Sequence, residues 1–138
     1  MKILVSDNIN NEAIDIIVKS GITVDYKPEI SKEDLKSIIH KYEGIVIRSK
    51  TFLDSELIKC SNRLKVIGRA GVGVDNVDLL AATEAGIMVM NTPDGNSITT
   101  AEHTIAMIMS LARKIPQANE STKKGHWEKS KFIGTEVT

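Results

Sequence analysis

The 30 residues from Leu64 to Pro93, LKVIGRAGVGVDNVDLLAATEAGIMVMNTP, leave this chain few folds to adopt, because they read as strand, glycine turn, helix and strand. Leu64 to Ile67 is apolar and partly β-branched, and Gly68-Arg69-Ala70-Gly71-Val72-Gly73 is a turn rich in residues that tolerate positive φ. Asp75, with Asp78 three residues on, predicts an N-cap and a first-turn acid for a helix carrying Val77, Leu80 and Ala81 and stopped by Gly86. Ile87 to Met90 is then a second apolar strand. A helix between two strands makes them parallel and puts the loops that follow them at one edge of the sheet.

The rest of the chain repeats the unit. Lys2 to Val5 predicts a strand, and Asn11 to Val18 has apolar residues at helical spacing before Gly21 stops it. Ile22 to Tyr26 alternates as a strand, Pro28 breaks it, and Ser31-Lys32-Glu33-Asp34 caps a helix over Lys32 to Lys41 with Leu35, Ile38 and Ile39 on its buried face. Gly44 to Ser49 is a β-branched strand of the kind covered on both faces, and Asp54 to Cys60 is a short helix. Strand ends near Ser6, Tyr26, Arg48, Gly68 and Met90 recur at nearly even intervals with a helical pattern in each gap. The pattern predicts an α/β fold, an open doubly wound parallel sheet, over residues 1–96.

Residues 97–138 predict something different. Thr99 and Glu102 offer a capping box for a helix over Ser97 to Lys114, and its apolar residues, Ile98, Ile105, Met107, Ile108, Met109 and Leu111 among them, cover most of its circumference. Such a helix needs cover on several sides, from another domain or a partner chain. Pro116 is expected to end or kink it, and Gln117 to Lys131 reads as a polar segment with Trp127 as its one large anchor. Phe132 to Thr138 approaches a β-type run and stops, which reads as a chain cut short, a disordered tail being the alternative.

Composition narrows the partners. With Lys+Arg 18 against Asp+Glu 18 the chain lacks the basic excess that neutralises phosphate backbones, so nucleic acid is not expected. The lone Cys60 cannot form an internal disulfide, which suits a reducing cytoplasm. MKILVSD is a strand with no apolar stretch behind it, so it does not read as a signal peptide, and IAMIMSLA at 105–112 falls short of the roughly 20 residues a membrane span requires. A cytoplasmic location with no membrane partner is expected.

Ligands of doubly wound sheets sit beyond the carboxyl ends of the strands. Arg48 and Arg69 both stand there, with the amides of Ala70, Gly71, Val72 and Gly73 beside them. Two planar cations next to a glycine turn make a site for phosphate or carboxylate, unless each arginine pairs with an acid such as Asp7 or Asp94. Gly71-Val72-Gly73-Val74-Asp75-Asn76 nearly spells the dinucleotide fingerprint, but Asn76 replaces its third glycine and a fourth strand precedes it, so it reads as a decoy. His40 reads as solvated or capping, His103 as structural, and His126 carries no signal; metal-ligand spacings and serine or cysteine nucleophile arrangements are absent.

At Gly68-Arg69-Ala70-Gly71-Val72-Gly73-Val74-Asp75-Asn76-Val77-Asp78, Val89-Met90-Asn91-Thr92-Pro93, Asn96-Ser97 and Ala101-Glu102, the chain resembles the D-isomer-specific 2-hydroxyacid dehydrogenases. Ile47-Arg48-Ser49 and Gly125-His126-Trp127-Glu128 are in register with it. The resemblance implies a flavodoxin-like substrate-binding domain, a crossing helix at Ser97 to Lys114 leading to a nucleotide-binding domain absent from these residues, and a homo-oligomeric complete enzyme. It implies oxidation of D-3-phosphoglycerate to 3-phosphohydroxypyruvate with NAD, the entry to serine biosynthesis. Arg48 and Arg69 then fall on positions that hold the substrate phosphate, with Ser49 beside them. The amides of Ala70, Gly71, Val72 and Gly73 hold its carboxylate, Val72 faces the nicotinamide, and Asn96 lies on the cleft wall.

The family's nucleotide turn and its catalytic arginine, glutamate and histidine are expected beyond residue 138, so no catalytic residue is assigned here. The chain alone is expected to be an amino-terminal portion, inactive and without tight NAD binding. The rival expectations are a dehydrogenase of another D-2-hydroxy acid and a non-catalytic anion-binding or interaction module.

Overall fold

A computed structural model describes residues 1–137 and divides them between two compact units, 1–95 and 96–137. The first is a five-stranded sheet of β1 (Lys2–Val5), β2 (Thr23–Tyr26), β3 (Gly44–Ile47), β4 (Val66–Arg69) and β5 (Met88–Met90), ordered β2-β1-β3-β4-β5 with every neighbouring pair parallel. The helices α1 (Asn11–Lys19), α2 (Lys32–Ile38), α3 (Ser55–Lys59) and α4 (Leu79–Glu84) connect the strands, so the doubly wound expectation holds.

Register shows where the core lies. Leu4, Ile45, Ile67 and Val89 are successive cross-strand partners and point to one face; the first three are buried and Val89 packs against them. Leu35, Ile39, Leu57, Ile58 and Ala82 join the same cluster from the connecting segments. On the opposite face, cover falls off toward the edge strand: Gly44 is buried, its partner Val66 is half-buried, and Met88 on β5 is exposed.

Local capping follows the sequence in several places. Asn10, Ser31 and Asp54 accept the backbone N–H of Glu12, Asp34 and Leu57 and start α1, α2 and α3. Gly21 and Gly86 have φ of +78° and +69° where α1 and α4 stop, and Ile87 N–H closes the second stop onto the Ala82 carbonyl at 2.8 Å.

Other boundaries differ from the sequence reading. Gly68 and Arg69 are strand residues, because Arg69 pairs with Ile47 and Ala70 N–H still bonds the Ile47 carbonyl at 2.9 Å. Gly71 and Gly73 do not adopt positive φ. Asp78, not Asp75, caps α4: Leu53 bridges Val77 and accepts Asp78 N–H at 2.9 Å, which holds the chain extended past the earlier candidate. The helix expected over Lys32 to Lys41 becomes 3-10 at Ile39–Lys41.

The second unit holds α5 (Ser97–Ala112), α6 (Ile115–Lys123) and a 3-10 turn at Lys129–Phe132. The Thr99–Glu102 capping box does not form; Asn96 caps α5 and makes no side-chain cap bond. α5 ends at Ala112 because Lys114 takes the left-handed conformation, φ 51°, so Pro116 opens α6 in its first turn, where its missing N–H costs nothing. Gln117 onward is therefore helical rather than an irregular polar segment, and Trp127, at 83% exposure, anchors nothing within the unit. Residues 133–137 are not a strand: Thr135 N–H bonds the Ala112 carbonyl at 2.8 Å, and Gly134 passes so close to it that a Cβ would lie 2.3 Å away. Thr138 falls outside the described residues. No described helix is long and apolar enough to cross a membrane.

Candidate functional site

The carboxyl ends of β3, β4 and β5 bring three loops together in the first unit. Register places Ile47 beside Arg69, so Arg48 lies one step beyond Arg69 on the adjacent strand. Neither arginine has a carboxylate within ion-pair distance among the described residues. Asp7, one of the acids considered as a partner, is occupied differently. It is only 2% exposed and its carboxylate accepts Arg48 N–H at 2.5 Å, Thr51 N–H at 3.1 Å and the Thr51 hydroxyl at 2.7 Å.

Arg69 folds back over the glycine turn. A Cβ built on Gly71 would lie 1.7 Å from Arg69 Nη1 and 2.7 Å from Cζ, so the guanidinium rests against the bare Gly71 backbone. That close approach, not a left-handed φ, is why a glycine stands at 71. Arg69 Nε is buried and has no hydrogen-bond acceptor. A buried charged donor without a partner is costly, so this placement of Arg69 carries a penalty in the free chain.

The four amides expected to face a ligand are not equivalent. Ala70 N–H continues the sheet ladder to the Ile47 carbonyl, and Gly71 N–H bonds the Arg69 carbonyl at 2.9 Å. Val72 and Gly73 N–H make no hydrogen bond within the described residues. Their carbonyl side is fixed from β5, because Thr92 N–H bonds the Gly71 carbonyl at 3.0 Å and the Asn91 amide donates to the Val72 carbonyl at 2.7 Å. The turn is thereby held with two donors free.

Two residues that matter to this edge carried no functional signal in the sequence. Asp7 ties the Arg48 loop from the β1 side. Asn76, buried at 5% exposure, donates its amide to the Arg48 carbonyl at 2.6 Å and the Thr51 carbonyl at 2.7 Å from the β4 side. Its position also bears on the dinucleotide fingerprint, for a glycine at 76 would make neither bond. Asn76 is thereby committed to the β3 loop, and Ala70 and Gly71 N–H are already used. Ser49 is exposed beside Arg48, and Asn96 opens the second unit with its side chain unused by the helix cap.

The chemistry on offer is anion binding: two guanidinium groups without ion-pair partners, two free backbone donors and the exposed Ser49 hydroxyl, at the strand ends and in the loops that follow them. Among the described residues no group of three His, Cys, Asp or Glu side chains is arranged to hold a metal ion.

A parallel sheet in this strand order, with two arginines and a glycine turn at its carboxyl edge, defines a doubly wound α/β domain, the class that binds ligands at that edge. A family model described as D-isomer specific 2-hydroxyacid dehydrogenase, catalytic domain, matches residues 3–136, and the chain belongs to that family. Among its relatives, D-3-phosphoglycerate dehydrogenase of Archaeoglobus fulgidus is 53% identical over 137 residues, a match covering 99% of this chain and 26% of the relative. The chain thus spans about a quarter of the length of the curated relatives it matches. The crystal structure of the PH0520 protein from Pyrococcus horikoshii superposes with a TM-score of 0.84 at 32% identity, covering 99% of this chain and 42% of that one. The NAD+-bound 3-phosphoglycerate dehydrogenase of Entamoeba histolytica gives 0.71 at 36% identity, covering 83% and 40%.

Proposed function

We propose that this chain holds the substrate for an NAD-dependent D-3-phosphoglycerate dehydrogenase, which oxidises D-3-phosphoglycerate to 3-phosphohydroxypyruvate at the entry to serine biosynthesis. The observation that carries the reading is the arginine pair left without carboxylate partners, one of them with a buried, orphaned Nε against a turn that presents free amides. A substrate with a phosphate at one end and a carboxylate at the other matches two cations plus a separate pair of neutral donors. The naming of the relatives supports the same substrate.

In this reading Arg48 and Arg69 grip the phosphate with Ser49 alongside, and Val72 and Gly73 N–H take the carboxylate. Ala70 and Gly71 serve as the frame that fixes those two donors, Val72 borders the nicotinamide, and Asn96 lines the cleft. NAD accepts the hydride when bound to the complete enzyme, and the pyrophosphate is held by residues other than the 71–76 turn. The division of labour follows from the donors present: they orient an anion, while hydride transfer also needs an acid-base group and a fixed nicotinamide. The chain alone should bind and not turn over.

Amide NMR titration of the chain with D-3-phosphoglycerate, D-glycerate and D-lactate tests this. The expected result is that D-3-phosphoglycerate moves the resonances of residues 48–51 and 69–73 and binds more tightly than the other two acids. Equal binding of D-glycerate would transfer the reading to another D-2-hydroxy acid, and reduction of NAD by the chain alone would end the proposed division.

A further inference from the structure

We infer that Asp7 and Asn76 are positioning residues for Arg48, gripping its peptide unit from two sides so that the guanidinium is presented to the anion. The inference rests on the anion-binding role proposed for Arg48. Its side chain is exposed and makes no ion pair among the described residues, so its position is set by its own backbone. That backbone is held at both polar groups: N–H by Asp7 Oδ2 at 2.5 Å and C=O by Asn76 Nδ2 at 2.6 Å.

The same two side chains hold Thr51, the other end of the turn. Asp7 accepts its N–H and hydroxyl, and Asn76 donates to its carbonyl. Directions are fixed by inventory. A carboxylate only accepts, so Thr51 spends its single hydroxyl proton on Asp7, and Ser6 Oγ must donate to Thr51 Oγ1 across their 3.1 Å contact. Rotating the Asn76 amide by half a turn would set its oxygen against two carbonyls, so Nδ2 faces them.

Asn76 Oδ1 remains buried without a donor. A residue kept at that cost is placed for its Nδ2, and the two carbonyls it serves both belong to the Arg48 turn. Asp7 and Asn76 come from the loops after β1 and β4, so the clamp also locks the Arg48 loop between its neighbouring strands.

A double-mutant cycle in the 138-residue chain tests the inference, with D-3-phosphoglycerate affinity read by NMR titration. Asn76→Asp keeps the size of the side chain but replaces the donor with an acceptor that can carry charge, so only the part of its effect that vanishes without Arg48 counts for the clamp. We expect Arg48→Ala to weaken binding by about 10-fold or more, Asn76→Asp alone by about 5- to 20-fold, and Asn76→Asp added to Arg48→Ala by less than about 2-fold, because coupled residues are non-additive. Equal losses in both backgrounds would mean that the effect of residue 76 does not pass through Arg48 and would overturn the inference. Full affinity in Asn76→Asp while Arg48→Ala is weak would overturn it and leave the proposed function standing. An Arg48→Ala chain of unchanged affinity would remove the proposed role of Arg48 and the clamp's purpose together. If thermal melting shows Asn76→Asp unfolded, Asp7→Asn enters the same cycle with the same criteria. In the unsubstituted chain the Arg48 amide proton should exchange slowly with solvent; rapid exchange would overturn the clamp whatever the variants do.

Discussion

The Arg69 guanidinium occupies the place where a side chain at Gly71 would begin, 1.7 Å from Nη1 to an ideal Cβ. Two residues that look like independent motif letters are therefore one object, a cation laid along bare backbone. Gly71→Ala should displace the head of Arg69 rather than break the fold, since the colliding atoms are the far end of a flexible side chain and 71 does not need positive φ. The expected outcome is a loss of D-3-phosphoglycerate affinity comparable to deleting the guanidinium, with a melting temperature within about 4 °C of the parent, as for a change under about 1 kcal/mol. Calorimetric unfolding beside a ligand titration checks both halves.

Arg69→Ala removes charge-assisted hydrogen bonds of about 1.5 to 3 kcal/mol, or about ten- to hundredfold in affinity. Because Nε is a buried donor with no protein acceptor, its removal should leave stability unchanged or slightly raised. A chain that loses stability but not affinity would place Arg69 in the fold and not in the site.

The sheet was legible because five β-branched or apolar runs recur with helical patterns between them, and topology follows from that alternation. What stayed hidden depends on partners distant in sequence. Asp7 meets the Arg48 loop across 41 residues and Asn76 meets it across 28, and no local pattern announces such pairs. The start of α4 at Asp78 depends on a distant partner in the same way, since the Leu53–Val77 bridge overrides Asp75 as a cap. The places of Arg48 and Arg69 at the ends of β3 and β4 follow from the sequence pattern. That only two of the four turn amides are free does not, because the Ala70 bond depends on strand pairing that continues past the glycine.

Tyr42 should govern the alkaline limit of stability. It is buried, and burial together with its hydroxyl bond to Asp25 at 2.7 Å pushes the phenol from 10.0 up to about 12. A pKa raised in the folded state favours folding fully below pH 10, and that contribution is lost as pH rises from 10 through about 12. The difference corresponds to roughly 2 to 3 kcal/mol at about 1.4 kcal/mol per pKa unit. Tyr42→Phe should therefore flatten the stability profile across that window, measured by urea unfolding from pH 9 upward; an unchanged alkaline slope would show that another group sets it.

Helix α5 leaves its apolar residues exposed, and its behaviour in solution follows from that surface. No residue between Ser97 and Ala112 is buried, and Ile98, Ile105 and Leu111 are exposed at 77%, 62% and 74%. Their sequence spacing wraps apolar side chains around the axis, so no rotation of the helix hides them all. A contiguous apolar surface of this kind drives association or captures amphiphiles. The isolated chain should bind a hydrophobic dye and sediment with a concentration-dependent mass, and Ile105→Lys with Leu111→Lys should suppress both while leaving the phosphoglycerate titration unchanged, because neither residue belongs to the arginine-lined edge. Sedimentation as a monomer at every concentration, with no dye response, would show that α5 is covered in solution by this chain itself.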